Sequence, residues 1–482
     1  MFNRNAEIFI IGAGISGITA ASKLIAHGFS NITILEAENR IGGRIESVKF
    51  SDGFIDLGAQ WCSGEIGNSV YELCKNEFDF GLTGFEDFET FTTFTSNGRK
   101  IDEKKLEKLH SLRKKLEEMT EEMNASTQST GEFFEERYFK AIRTPEYSDI
   151  EDELRDMFLS LWHRQTNAIY AAESWYDLSA QGFASNILCE GRQDLTWRTF
   201  GYKSLFNLVL KKFSGSEEHP INLNDRIKLN TKVTNISWKS DKVIIYTADK
   251  SVFHADHVIV TIPLGILQAH HKSLFTPTLP DLKVSAIENM KVGTLNKIFL
   301  EFDEPFWTKD FKLSAFMWTK EDLEEIIGTD KEWLKNIYGF LYVDGFSNLL
   351  ETVLSGNKTK EFESYSDAKV ENDCMWLLEK FLKRKLPRPT AMRRTRWSSR
   401  ENFLGSYAYL SMQTTANNIS PSDLAKSICN AHGMPILLFA GEATCPKYQG
   451  YVHGAFDSAK RAAQEIIEFY LKVIGISKIN KL

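Results

Sequence analysis

Short apolar runs alternate with stretches of helical spacing from the beginning of the chain. Residues 8–11 are apolar and stopped by Gly12, residues 15–26 repeat apolar positions at helical period with Gly28 able to cap them, and residues 32–35 form a second apolar run. That order predicts β-α-β. Residues 100–123 are rich in Lys, Glu and Leu near helical period and predict an exposed amphipathic helix. Residues 227–236, 243–247 and 257–261 predict successive strands separated by turn residues, ending in Ile262-Pro263-Leu264-Gly265. Further strands are predicted at 297–302 and 337–343, and a helix at 368–386 stopped by Pro387. The last segment predicts a strand at 436–440, then Gly441-Glu442, then a helix through 455–470. No internal repeat is visible.

With 482 residues the chain exceeds the size at which one core keeps growing, so two closely packed domains are expected. Apolar residues make up 42% and aromatic residues 12%, as in a soluble globular enzyme, and no apolar run approaches the roughly 18 residues of a membrane span. A net charge of -7 without a long basic patch argues against a nucleic-acid partner, and the mild acidity suits a cationic substrate. The six cysteines form no CxxC pair, which points to neither zinc nor any other metal and to no disulfide framework, and makes a reducing compartment the default. Residues 7–11 run into glycines rather than a small-residue cleavage site, so no signal peptide is read and a cytoplasmic location is expected. The ending Asn480-Lys481-Leu482 is a poor relative of the Ser-Lys-Leu peroxisomal address and leaves a peroxisomal location as the alternative.

Gly12-Ala13-Gly14-Ile15-Ser16-Gly17 is a G-x-G-x-x-G placed between a predicted strand and a predicted helix. There the glycines allow a tight turn, and backbone N–H groups at the helix N-terminus can approach a pyrophosphate. Glu36 ends the second strand, the position from which a carboxylate accepts hydrogen bonds from ribose hydroxyls. This pattern alone serves NAD and FAD equally. The continuation Glu36-Ala37-Glu38-Asn39-Arg40-Ile41-Gly42-Gly43-Arg44 adds two glycines and an arginine for the same diphosphate and points to FAD.

From this segment onward the chain resembles the flavin-containing amine oxidases, and within them the polyamine and spermine oxidases. The family motif E-A-x-x-R-x-G-G-R continues into D-x-G-A-x-W-x-x-G, matched by Asp56, Gly58, Ala59, Trp61 and Gly64. A second block, Gly441-Glu442-Ala443-Thr444 with Gly450-Tyr451-Val452-His453-Gly454, is similar to the family's C-terminal FAD motif. The strand around Asn296-Lys297-Ile298-Phe299-Leu300 resembles the one whose lysine holds a water against the flavin in polyamine oxidases. Trp397 with Gly405-Ser406-Tyr407 resembles the segment that places an aromatic residue on the substrate side.

The resemblance implies catalytic roles for Lys297, Tyr407 and Tyr451, with the two tyrosines forming an aromatic slot for the amine. It implies cofactor contacts for Gly12, Gly14, Ser16, Gly17, Glu36, Ala37, Arg44, Gly58, Ala59, Gln60, Trp61, Val233, Trp397, Gly441, Glu442, Tyr451 and Val452. Where monoamine oxidases tether FAD through a cysteine, this chain has Ser406, so a noncovalent FAD is expected. Ser63 stands where animal enzymes have histidine and plant enzymes glutamate, which leaves the substrate preference open.

The expected fold is α/β: a Rossmann-like FAD-binding domain from residues 1–85, 200–285 and 393–475, interleaved with a mixed-sheet substrate domain from 86–199 and 286–392. The expected reaction is oxidation of a polyamine C–N bond (spermine, spermidine or their N-acetyl forms) with O2 to aldehyde, shorter amine and H2O2. An amino-acid oxidase of the same fold would need an arginine over the flavin, for which Arg393, Arg394, Arg396 and Arg400 are candidates. A flavin-binding protein without turnover is the reading from another class. Glu65, Asp177 and Glu190 are candidate carboxylates at an entrance for a polycation.

Overall fold

The computed structural model describes residues 5–78, 80–82, 91–198, 200–216, 220–307 and 313–473. The Asn480-Lys481-Leu482 ending lies outside them.

The predicted β-α-β forms with the predicted bounds, as strand Ile8–Ile11, helix Ile15–Ala26 and strand Ile32–Leu35. Gly28, just past the helix, takes a left-handed φ of 87°, as its capping role requires. Both strands belong to a six-stranded sheet ordered Ile428–Cys429, Pro435–Phe439, His257–Val260, Ile8–Ile11, Ile32–Leu35, Ile227–Lys228. All neighbours in it are parallel except the outermost Ile428–Cys429.

Such a sheet is buried on both faces, which is why its central strands read as nearly continuous apolar runs. Ile8, Ile10 and Ile34 pack against helix Ile15–Ala26 and the long C-terminal helix Val452–Val473. Ala20, Ala21, Ala459, Ala462 and Ala463 lie in that core, where small side chains let the two helices come close. Ile11, Leu35, Val258 and Val260 face the other way, onto a four-stranded sheet of Val252–Ala255, Val243–Thr247, Val233–Ser237 and Phe275–Thr276.

A second framework is antiparallel: Leu341–Tyr342, Leu349–Leu354, Asn296–Glu301 and Ala391–Arg394. Beside it, helices Glu103–Glu117, Thr130–Ala141 and Asp152–Tyr170 share a core built on Phe134 and Trp162. The fold is α/β.

Several predicted elements are corrected. The strand expected over 227–236 is two, Ile227–Lys228 and Val233–Ser237, in different sheets. Asn230 is left-handed at φ 54°, and Thr231 N donates to Glu36 O at 2.8 Å, which breaks the run. The helix expected over 100–123 is likewise two, Glu103–Glu117 and Thr120–Ala125, and the first buries Leu109, Leu112 and Leu116 instead of lying in solvent. Of 337–343 only Leu341–Tyr342 is strand. The helix expected to reach Pro387 ends at Leu382, because Lys383 turns left-handed at φ 54°.

Candidate active site

The fingerprint turn is shaped by contacts that leave no room for side chains. Gly12 has φ 107°, and a Cβ there would stand 2.6 Å from Thr261 Oγ1; one on Gly17 would stand 1.9 Å from Gly12 O. Helix Ile15–Ala26 begins with Gly14 as an N-cap that lacks a side-chain hydrogen bond, and its first turn has no acid. Its free amides and the positive end of its dipole are therefore offered to an anion.

Glu36 is buried, and its carboxylate accepts from Ala13 N at 2.6 Å and Glu38 N at 2.8 Å. Burial pushes its pKa up, against the pull of those two N–H groups. It thus ties the end of the second strand to the glycine turn and keeps lone pairs for hydroxyl donors. Arg44 Nη1 donates to Ser406 O at 2.7 Å and Glu442 Oε1 at 2.8 Å. Glu442 Oε2 accepts from Gly450 N at 3.0 Å, so one carboxylate joins segments far apart in sequence.

These groups open onto a cavity of about 490 Å³. Ile11 and Leu35, at the C-terminal ends of the first two parallel strands, line it together with Lys297 and Val353 of the antiparallel sheet. A crevice beyond the carboxyl ends of parallel strands is where such folds bind ligands. Of the residues expected at the site, every one lines this cavity except Gly17, which packs under the turn. A Cβ built on Gly441 would meet no protein atom within 4 Å, which leaves open space beside that backbone. Uncapped amides, an acid at the end of the second strand and bare glycines fit a dinucleotide with its pyrophosphate.

Lys297 comes from the middle strand of the antiparallel sheet and is 2% exposed. Its Nζ donates to Asp56 O at 2.9 Å and to Gln60 Oε1, and stands 5.2 Å from the centre of the Trp61 ring. Glu351 Oε1 lies 3.6 Å away. Burial lowers the Lys297 pKa, while Glu351 and Asp56 oppose that shift. The Asp56 carboxyl itself is pushed up to about 6 by burial, although it accepts from Ser47 Oγ.

Tyr407 OH donates to Ala168 O at 3.2 Å and Ile169 O at 3.0 Å. Burial holds its pKa well above the usual phenol value and pushes that of Tyr451 to about 12, so both rings stay neutral. The Tyr451 ring lies 5.1 Å from that of His453, at 26°. Ser406 Oγ donates to Leu295 O at 3.1 Å and accepts from Leu295 N at 2.9 Å. Trp397 Nε1 donates to Leu57 O at 3.2 Å.

Sequence reading missed Tyr170 and Tyr338, which also line the cavity, and Glu351 behind Lys297. It proposed groups the structure places elsewhere. Glu65, Asp177 and Glu190 do not line the cavity; Glu65 accepts from Tyr71 OH at 3.0 Å and Arg192 N at 3.1 Å. None of Arg393, Arg394, Arg396 and Arg400 lines it either. Arg394 pairs with Asp367 at 2.8 Å, and Arg400 pairs with Glu38 and Glu46. The carboxylate clamp of an amino-acid oxidase is therefore not built from this cluster.

A parallel sheet with this turn, acid and crevice defines a dinucleotide-dependent α/β enzyme. The chain belongs to the flavin-containing amine oxidoreductases, whose family model matches residues 15–467. It is 27% identical to the human peroxisomal N(1)-acetyl-spermine/spermidine oxidase over 96% of this chain and 95% of that one. It is 26% identical to polyamine oxidase 1 of Zea mays, over 96% of this chain and 90% of that one. A solved structure from a cofactor-binding redesign of putrescine oxidase shares the fold, with a TM-score of 0.69 at 16% identity over 96% of this chain and 99% of that one. The protein is an FAD-dependent amine oxidase. No helix among the described residues is long and apolar enough to cross a membrane.

Proposed function

We propose that the protein oxidises a C–N bond of a polyamine, with O2 as the final acceptor, giving an aldehyde, a shorter amine and H2O2. The observation that carries this is the buried Lys297 in the wall of a cavity also walled by Tyr407 and Tyr451. The names of the human and maize relatives support the substrate class.

FAD would be held, without a covalent bond, by the amides of the Gly12–Gly17 turn, Glu36, Arg44, residues 58–61, Val233, Trp397, and the Gly441-Glu442 and Tyr451-Val452 pairs. When bound it would supply the hydride acceptor for oxidation of the carbon next to the amine nitrogen and the route of the electrons to oxygen. The aromatic walls exclude water from the reacting amine, and exclusion of water favours its neutral, reactive form. Lys297, held at the cavity wall by Asp56 O and Gln60 Oε1, would position a water for the reaction. The FAD domain would comprise residues 1–85, 200–285 and 393–475, and the substrate domain 86–199 and 286–392. The strand Ala391–Arg394 then bridges the two. Six free cysteines support a reducing, cytoplasmic setting.

Among the described residues the only carboxylates lining the cavity are Glu36 and Glu442, both engaged near the cofactor end. The rest of the wall carries no acid: it is aromatic, aliphatic, amide or hydroxyl, with Arg44, Lys232 and Lys297 as its basic groups. A buried ammonium without a partner is costly, which favours the N-acetyl polyamines, whose acetylated end carries no charge. Incubation with N-acetylspermine in air should give aldehyde and peroxide in equal amounts by mass spectrometry and peroxide assay. Absence of both, with the flavin intact, would refute the assignment.

A further inference from the structure

The strand Leu349–Leu354 is entirely buried and apolar at most positions, yet carries Glu351 at its centre. Phe299 is its direct cross-strand partner, and Lys297 pairs with Val353, so the lysine and the acid are diagonal neighbours on one face of the sheet. Glu351 is 1% exposed. Its Oε2 accepts from Gln60 Nε2 at 2.8 Å, while Gln60 Oε1 accepts from Lys297 Nζ. Its Oε1 has no hydrogen bond and lies 3.6 Å from Lys297 Nζ. Lysine, amide and carboxylate therefore close a ring, with the lysine and the amide at the cavity surface and the carboxylate behind them.

A carboxylate buried this deeply is costly unless it answers a charge. The other groups facing Lys297 supply less. Asp56 offers its backbone carbonyl, and its carboxyl is taken up by Ser47 and by Tyr202 N at 3.1 Å. Gln60, Trp61 and the nearby Tyr338 are neutral.

We propose that Glu351 is a positioning residue for the oxidation, supplying through Gln60 and directly the counter-charge that holds the Lys297 ammonium protonated and fixed at the cavity wall. This rests on Lys297 belonging to the reaction site. Burial alone lowers the lysine pKa and the acid opposes that shift, so removing the acid should let Lys297 lose its proton at a lower pH.

The test uses FAD-loaded enzyme in excess FAD, comparing wild type, Glu351→Gln, Lys297→Met and the double variant. A buried ammonium left without its partner should lower the thermal midpoint of Glu351→Gln near pH 7 by on the order of 5 °C, and the double variant should recover most of that loss. The sign with pH follows from proton counting. The folded lysine lies below its unfolded value of 10.5, so the unfolded chain binds more protons in between and stability rises with pH across that window. Glu351→Gln should widen the window, so its midpoint climbs relative to wild type between pH 7 and 10. In stopped-flow, Glu351→Gln should show a falling alkaline limb that wild type and the double variant lack.

Parallel midpoint–pH curves, or a double variant no more stable than Glu351→Gln, would overturn the pairing. Failure of both acid variants to fold would make Glu351 a packing residue and overturn it too. If the thermal coupling appears while Lys297→Met leaves the flavin kinetics unchanged, it is the placement of Lys297 in the reaction site that fails instead.

Discussion

Glu36 has two tasks that a single substitution removes together. Its oxygens already accept from Ala13 N and Glu38 N, so Glu36→Ala removes an acceptor for ribose and also strands a buried N–H in the turn. Hydrogen bonds to a charged acceptor contribute about 1.5–3 kcal/mol each, so FAD binding should weaken by roughly 10- to 100-fold or more on the scale of about 1.4 kcal/mol per tenfold. Fluorescence titration of flavin-stripped protein measures this; unchanged affinity would remove Glu36 from the site. Lys297→Met should act differently, keeping FAD but slowing stopped-flow reduction or reoxidation by about tenfold or more, a loss of about 1.4 kcal/mol of barrier lowering. Wild-type rates in both half-reactions would exclude the lysine. At this scale the sequence was most legible where a residue acts through a local motif: Gly12, Gly14, Glu36 and Arg44 could be placed because turn, strand end and acid recur at fixed spacing. Tyr170 and Tyr338 carry no such spacing, since each reaches the cavity only through tertiary packing. Glu351 did leave a sign, a carboxylate inside the apolar run Leu349-Leu350-Glu351-Thr352-Val353-Leu354, but its partner lies on another strand and the pairing register is not written locally.

At the scale of elements, helix Ile15–Ala26 packs directly on the glycine turn, Gly17 against Gly12 O. Gly17→Ala would put a methyl group 1.9 Å from Gly12 O, and overpacking of this kind costs about 1–3 kcal/mol. Both a lower thermal midpoint and a fall in flavin content on purification are expected, because the same carbonyl shift moves the amides that face the cofactor. A variant with normal flavin content and an unchanged midpoint would show that the turn tolerates the displacement. Long periodic elements were readable for a physical reason: Ile15–Ala26 and the C-terminal helix pack a continuous apolar stripe, and the central parallel strands are apolar at nearly every position. Boundaries set by one left-handed residue, at Asn230 and Lys383, were not, because neither is glycine and nothing nearby marks the turn. The strand Ala391–Arg394 was also missed: its arginines carry no apolar alternation, and Arg394 is drawn inward onto Asp367 and the carbonyl of Phe362 only by tertiary contacts.

Over the whole molecule, two sheets of opposite character meet around one cavity. Ser406 presents a hydroxyl bonded to Leu295 rather than a thiol, so acid or heat should release all FAD into the supernatant; yellow colour in the precipitate would show a covalent link. The aromatic walls of the cavity, which exclude water, favour a deprotonated reacting amine, so the reduction rate should rise with pH and its midpoint should follow the pKa of whichever amine is used. A midpoint fixed across amines would place the titrating group on the protein instead. The most direct measurement is an anaerobic stopped-flow comparison in which N-acetylspermine, spermine, benzylamine and a neutral amino acid are each mixed with oxidised enzyme at one pH and the loss of flavin absorbance is followed. The expected result is that the polyamines bleach the flavin fastest, the N-acetyl form ahead of the free one; faster bleaching by benzylamine or the amino acid would contradict the assignment.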